Sequence, residues 1–301
     1  MNTNHHNNYN DTIDFKELFK IIWSKKLFII IITITAASAS VYYSLTLPNI
    51  YTSKALLAPT STSSNSLNNQ LGAISSIAGI AGINMQPNSS DKTAEAIERM
   101  QSYDFFVNEF LPNIEVRNLV AAISWNKNNN SILYDEILLQ DIGGGLSKQK
   151  AFEIYTSLFN VSQDSRTSFV LIKIEHISPF IAQKWLNLII KKINNHMREL
   201  DKSVAESSID FLNNKAQETK LSDLREVIFN LIENQIQALT LAEATEDYIF
   251  KPITSPLAPE KKSKPSRASI SISGTIAGFI LSIILAFILH YTRLQRTKDI
   301  D

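Results

Sequence analysis

The sequence has no cysteine in its 301 residues, which excludes disulfides and thiolate chemistry. It has no charge bias: 29 Lys and Arg stand against 29 Asp and Glu, a balance that argues against nucleic acid as a main partner. No G-x-x-x-x-G-K-S/T string occurs. Gly143-Gly144-Gly145 runs into Leu146-Ser147-Lys148 without the spacing or the strand–helix setting of a phosphate loop. H-E-x-x-H and nucleophile-elbow strings are missing too, and His5, His6, His176, His196 and His290 are scattered. Glu199, Asp201 and Glu206 alternate with Lys and Arg as a solvated helix face does. No residue is nominated as catalytic, metal-ligating or cofactor-binding, and the chain is read as a non-enzyme.

Two long apolar runs are present, one near each end. Leu27–Leu47 has no charged residue and is about the ~20 residues a helix needs to cross a hydrocarbon core. Lys25 and Lys26 precede it, and Tyr42, Tyr43 and Pro48 mark its far edge. Ala36-Ala37-Ser38-Ala39-Ser40 could suit a signal peptidase, but the apolar stretch continues well past it, so a retained anchor is expected. The second run, residues 270–291, is followed by Arg293, Arg296 and Lys298. Gly274 and Gly278 within it are spaced to let another helix approach closely; ordinary tolerance of glycine in membrane helices is the alternative.

Loop charges orient the chain. Lys16, Lys20, Lys25 and Lys26 precede the first span, and only Lys54 lies close beyond it, so the N-terminus is expected in the cytoplasm. The second span has basic residues on both sides and follows the first. Both termini would then be cytoplasmic, with residues 48–269 facing outward from a bacterial inner membrane. The tails 1–26 and 292–301 are too short for the output domain of a two-span chemoreceptor or sensor kinase.

The expected fold class is α+β: two transmembrane helices (27–47 and 270–291) flanking a periplasmic domain with a membrane-proximal α/β base (48–176). Within the base, Tyr51–Ala58 reads as a strand closed by Pro59, and Thr60–Gln70 as a polar loop. The small-residue apolar tract 71–83 suits either a close-packed turn or helix, or a surface for a neighbouring subunit or lipid. Thr93–Leu111 has helical spacing with Asp91 as its cap, Ser147–Phe159 is a second helix, and Val170, Ile172 and Ile174 share one face of a strand. From Pro179 to Asp247 there is no further proline and no glycine, which predicts a very long helix or a helical hairpin over 177–250. Leu221, Leu224, Ile228, Leu231, Gln235 and Leu239 follow coiled-coil spacing and need a partner, so a homo-oligomer, a ring, is expected. A break near Asn213-Asn214 or Ser222-Asp223 would make the hairpin. The stretch 251–269 holds Pro252, Pro256, Pro259 and Pro265, a stiff return to the membrane.

Over nearly its whole length the chain resembles the chain-length determinant family, the polysaccharide co-polymerases of O-antigen and related surface glycans. The resemblance rests on Ile13-Asp14-Phe15-Lys16-Glu17-Leu18, Tyr51-Thr52-Ser53-Lys54-Ala55, the tract 71–83, Glu95-Ala96-Ile97-Glu98-Arg99-Met100-Gln101-Ser102 and Ser178-Pro179-Phe180-Ile181-Ala182. Its most characteristic part is Ser255-Pro256-Leu257-Ala258-Pro259-Glu260 with Lys264-Pro265-Ser266-Arg267. Here Lys264 precedes Pro265 where the family usually has a basic residue after Ser-Pro, and the glycines of the second helix are thinned to Gly274 and Gly278. These departures leave the class of glycan open.

The resemblance implies a non-enzymatic regulator that sets how many repeats a separate membrane polymerase adds to a lipid-linked polysaccharide. Its partners would be other copies of itself, that polymerase, the lipid-linked glycan and membrane lipids, and no nucleic acid. Pro256, Pro259, Lys264 and Pro265 are the candidate functional segment, and Gly274 and Gly278 the candidate helix-packing residues. Two further readings are a capsule or exopolysaccharide export adaptor that activates a separate cytoplasmic tyrosine kinase, and a membrane-anchored glycan-modifying enzyme.

Overall fold

The computed structural model describes residues 15–60, 89–143 and 147–298. It opens with α1 (Phe15–Ser24) and α2 (Lys26–Thr46), then β1 (Tyr51–Pro59) and α3 (Ser89–Met100). A helical turn at Tyr103–Phe105, a π-helical turn at Phe106–Phe110 and a 3-10 turn at Leu111–Asn113 lead to α4 (Val116–Val120). The hairpin of β2 (Ala122–Asn126) and β3 (Ser131–Tyr134) comes next, then α5 (Glu136–Gly143) and α6 (Lys148–Leu158). After β4 (Phe159–Gln163) and β5 (Val170–His176) come α7 (Pro179–Glu218), α8 (Ser222–Ala244), β6 (Phe250–Thr254) and α9 (Arg267–Lys298). These elements form two compact units, Asn49–Ser263 and the pair of segments Met1–Pro48 and Lys264–Asp301. The tract 71–83, on which one expectation rested, lies outside the described residues.

In the unit Asn49–Ser263 the main sheet has the order β4-β5-β1-β6, all antiparallel. Strand β5 alternates as the sequence predicts: Val170, Ile172, Ile174 and His176 are buried and the residues between them are half-exposed. The buried face meets the first half of α7 through Ala182, Leu186, Ile189 and Ile193. Each large aliphatic side chain buried here contributes about 1.5–3 kcal/mol. An aromatic cluster extends the core. Phe106 and Phe110 pack on Tyr155 with ring centroids 5.1 and 5.0 Å away, Trp185 meets Phe110 at 5.7 Å, and the Tyr155 hydroxyl donates to the Met100 carbonyl at 2.8 Å. The π-helical turn widens the backbone where Phe105, Phe106 and Phe110 must all reach this cluster.

Several expectations are corrected. The helix α3 begins at Ser89, so Asp91 lies inside it rather than capping it. Of the two readings of the long helical stretch, the hairpin is the one found: α7 and α8 are separated at Thr219–Leu221, directly before Ser222, and pack against each other. Thr219 and Leu221 are both in extended conformation, and Arg225 donates to the Thr219 carbonyl at 2.7 Å, so the break is built by the chain itself. Leu221 therefore falls in the turn, Leu224 is exposed, and the buried contacts are Ile228 and Ile232 against Ala216. Residues 250–254, read from sequence as the end of the helical stretch and the start of the proline return, form the edge strand β6; an edge strand beside a register shift tolerates Pro252.

In the other unit, α2 and α9 pair lengthwise. Only 11% and 17% of their most apolar windows are buried inside the protein. A core helix of a soluble protein would be mostly covered, so these faces suit lipid, and the two helices are candidate membrane spans. The mixed helix and sheet, the two terminal apolar helices and the long helix agree with the expected α+β class. Helix α1 was not foreseen, because the leader was read only as a tail; Phe19 and Trp23 stack at 6.0 Å on it.

Candidate functional site

The proline-rich return is held by hydrogen bonds to the start of β1 and to α7. Pro256 is buried, and its carbonyl accepts from Gln183 Nε2 at 3.0 Å. The buried Ser53 hydroxyl donates to the Leu257 carbonyl at 2.9 Å. Farther on, the Ser263 N–H donates to the Ile50 carbonyl at 2.8 Å, the Thr52 N–H donates to Ser263 Oγ at 3.1 Å, and Lys262 Nζ donates to Asn49 Oδ1 at 3.2 Å. Proline suits such a path. Its fixed φ keeps the chain extended, and it has no N–H to leave unsatisfied where only carbonyls are bonded. The points where the chain enters and leaves this unit are therefore stapled side by side. Of the candidate residues, Pro256 and Pro259 lie in this unit, while Lys264, Pro265, Gly274 and Gly278 lie in the other.

In the helix pair, Gly274 faces Ser40 and Gly278 faces Ala36, so the two helices run antiparallel. A methyl group on Gly274 would overlap the Ser40 side chain, and one on Gly278 would overlap the Ala36 methyl. Ser40 Oγ donates to the Ile270 carbonyl at 2.9 Å, the kind of bond close approach permits. Ser282 and Ala286 continue the same four-residue spacing and are buried. The helix that meets the glycines is thus the chain's own α2, which the sequence pattern alone did not identify.

Sequence reasoning missed a polar cluster beside α3. Glu109 bonds Lys192 Nζ at 3.3 Å through one oxygen and His196 Nδ1 at 3.5 Å through the other. Arg99 Nη1 lies 3.5 Å from His196 Nε2, and the Arg99 guanidinium pairs with Glu95 at 2.7 Å. Glu95, Arg99 and His196 border an open cleft of about 550 Å³ lined also by Glu98, Ser102, Asp104 and Asn108. Asp201 is likewise no plain solvated charge. It pairs with Lys92 Nζ at 2.7 Å and accepts from the Tyr248 hydroxyl, whose pKa burial pushes up. His176 is a structural histidine: Nε2–H donates to the Asn118 carbonyl and Nδ1 accepts from the Ser178 N–H, both at 2.9 Å. Burial holds its pKa below the ordinary histidine value. Among the described residues no group of His, Asp and Glu is arranged to hold a metal ion.

The chain can be set beside known proteins. A family model described as Wzz, chain length determinant protein, matches residues 11–110. No curated protein matches in sequence. Solved structures that align include two polysaccharide co-polymerases. A full-length bacterial polysaccharide co-polymerase is 15% identical with a TM-score of 0.40, covering 94% of this chain and 98% of that one. A fragment of WzzB, a polysaccharide co-polymerase from Salmonella Typhimurium, is 13% identical with a TM-score of 0.35, covering 72% of this chain and 100% of that one. The segment matched by the family model spans the first candidate membrane helix, β1 and α3. Over residues 11–110 the chain is similar to the Wzz family of chain length determinant proteins.

Proposed function

We propose that the protein sets the modal length of a surface polysaccharide, of the O-antigen or enterobacterial-common-antigen type, by acting on a separate membrane polymerase that extends a lipid-linked glycan. On this reading it is a regulator and not an enzyme. The observation that carries the reading is the match of residues 11–110 to the chain length determinant model. Its place is the bacterial inner membrane, with both termini in the cytoplasm and residues between the spans in the periplasm, as the basic residues before the first span favour.

Self-association into a ring is part of the proposal. The α7–α8 hairpin leaves Val204, Phe211, Leu224, Val227 and Ile236 exposed, and a groove of about 510 Å³ runs beside Val204, Phe211 and Leu231. More copies of the chain would cover such a face.

Deleting the gene in its native strain and resolving the surface lipopolysaccharide on a gel tests the function. Loss of a preferred band length, with polymer still made, is the expected result. Unchanged lengths would overturn the proposal, and complete loss of capsule would favour the export-adaptor reading. Changing Pro256, Pro259 and Pro265 to Ala is expected to shift modal length while the protein stays in the membrane; a normal distribution would reduce the prolines to a spacer.

A further inference from the structure

The short helix α1 has two faces with different surroundings. Ile21 is 4% exposed and rests on the protein, where α1 packs beside α2 and α9. Phe19 and Trp23 stand two residues to either side of it, each about 160° around the helix from Ile21, and so face the opposite way. They are 65% and 63% exposed, and their rings stack at 6.0 Å. Lys26 Nζ reaches back over the Trp23 ring at 4.7 Å, away from the apolar run that Leu27 begins. An aromatic pair with a cation above it is thus left outside the packing of its own unit.

The backbone holds α1 close to the first candidate span. The Lys25 N–H donates to the Ile21 carbonyl at 3.1 Å, and the Ile29 N–H donates to the Lys25 carbonyl at 3.0 Å. Only Lys25, at φ −105° and ψ 14°, separates α1 from α2. Trp23 precedes Lys26 by three residues and Phe19 by seven, which at ~1.5 Å per residue places them within about 5 and 11 Å of the start of α2. Headgroup layers add roughly 5–8 Å on each side of the hydrocarbon core. Trp23 therefore falls inside that layer whichever way α1 points, and Phe19 falls at its outer edge or within it. Charge fits the same place. Residues 15–26 hold Lys16, Lys20, Lys25 and Lys26 against Glu17 alone. The antiparallel pairing of α2 with α9 brings the part of α9 that carries Arg293, Arg296 and Lys298 to the same end of the pair. Aromatic residues among clustered basic ones beside a span make the composition that anionic lipid attracts.

We propose that α1 is a lipid-binding helix. The Phe19–Trp23 pair enters the headgroup–acyl boundary, and Lys25 and Lys26, within the basic end of the helix pair, hold the phosphate of an anionic phospholipid. The proposal rests on α2 and α9 being membrane spans and is independent of any polysaccharide.

Two readouts on the full chain in vesicles of phosphatidylcholine and phosphatidylglycerol test it. The first is quenching of tryptophan fluorescence by lipids brominated on the acyl chain near the headgroup. The other tryptophans, Trp125 and Trp185, lie in the unit Asn49–Ser263. The parent is expected to carry a quenchable component that Trp23→Phe lacks. Equal quenching of the two would overturn the proposal and assign the aromatic pair to water or to protein, a second copy included. The second readout is lipid selectivity, the fraction of spin-labelled phosphatidylglycerol immobilised by the protein against that of spin-labelled phosphatidylcholine. The parent should prefer phosphatidylglycerol several-fold, and Lys25→Gln with Lys26→Gln should lower the preference about twofold or more. No preference in the parent would overturn the anionic site. A preference unchanged in the double variant would place the lipid elsewhere on the chain and overturn it equally. Glycan length plays no part in either readout, so failure here and failure of the chain-length reading are told apart.

Discussion

The two halves of α7 are one uninterrupted helix with opposite surroundings. In Pro179–Met197 a stripe of Ala182, Trp185, Leu186, Ile189, Ile190, Ile193 and Met197 is buried against the sheet and the aromatic cluster. Beyond Met197 only Ala205 and Ala216 are buried, while Val204 and Phe211 are exposed. The first half is completed by its own chain. Past the Asp201 contacts with Lys92 and Tyr248, the second half packs on α8 through a core reduced to Ala216, Ile228 and Ile232 with Ile209 and Leu212 against them. Helical propensity is similar along the whole length, since no proline or glycine interrupts it after Pro179. Tertiary burial, and not local preference, is what separates a core helix from one that awaits neighbours.

The comparison can be broken or sharpened by mutation. The largest effect is expected at Asn194, in the completed half. Its Oδ1 accepts from the Ile249 and Phe250 N–H groups at 2.9 and 2.8 Å, and its Nδ2 donates to the Phe250 carbonyl at 2.9 Å. Asn194→Leu strands three buried backbone groups and should destabilise the unit by about 4 kcal/mol in denaturant unfolding of the detergent-solubilised protein. Leu186→Ala, which opens a cavity in the same half, should remove about 3 kcal/mol by the same measurement. If either left the unfolding midpoint unchanged, the first half of α7 would not be the structural core.

A smaller effect is tied to pH. His176 packs against Trp185 at 4.8 Å between ring centroids and is held neutral by burial, with its folded pKa below the unfolded value. The unfolded chain then binds the proton more readily. The stabilisation is complete above the unfolded histidine pKa and is lost as pH falls below it toward the folded pKa. Unfolding midpoints should therefore drop on acidification from neutral pH, and His176→Gln should lessen that drop. A variant with the parent's pH slope would dismiss His176 as its source.

The least change in stability is expected in the open half. Val204→Ser with Phe211→Ser should alter unfolding by about 0.5 kcal/mol or less, as exposed substitutions do. The same double variant should reduce the size of the detergent-solubilised oligomer in light scattering if that face joins copies. A large loss of stability with assembly intact would reverse the assignment of the two halves.

How much of this was legible depends on how far apart the cooperating residues lie. The spans were readable because each carries its signal in one continuous run, and β5 because Val170, Ile172 and Ile174 alternate. Strand β4 was missed because only Phe159 of its five residues is buried, and β6 because Pro252 reads as a breaker until its edge position is known. The cluster of Glu109, His196 and Arg99 carries no local pattern: Arg99 and His196 are 97 residues apart and meet only because α3 and α7 pack together. Gly274 and Gly278 announced a close helix contact, but no spacing could say that the contact was with Ala36 and Ser40.

The staple between Asn49–Thr52 and Lys262–Ser263 also has a mechanical meaning. Any force that draws those two chain ends apart acts on one bond at a time. The Lys262–Asn49 and Ser263–Ile50 bonds are loaded first, then Ser53–Leu257, and then the β1–β6 ladder from Leu56 toward Pro59. Antiparallel hydrogen bonds lie across the strands, so this geometry peels them in sequence instead of shearing them together. With each bond contributing about 1 kcal/mol, opening proceeds in small steps, and tension at the chain ends is absorbed gradually before it reaches the aromatic core.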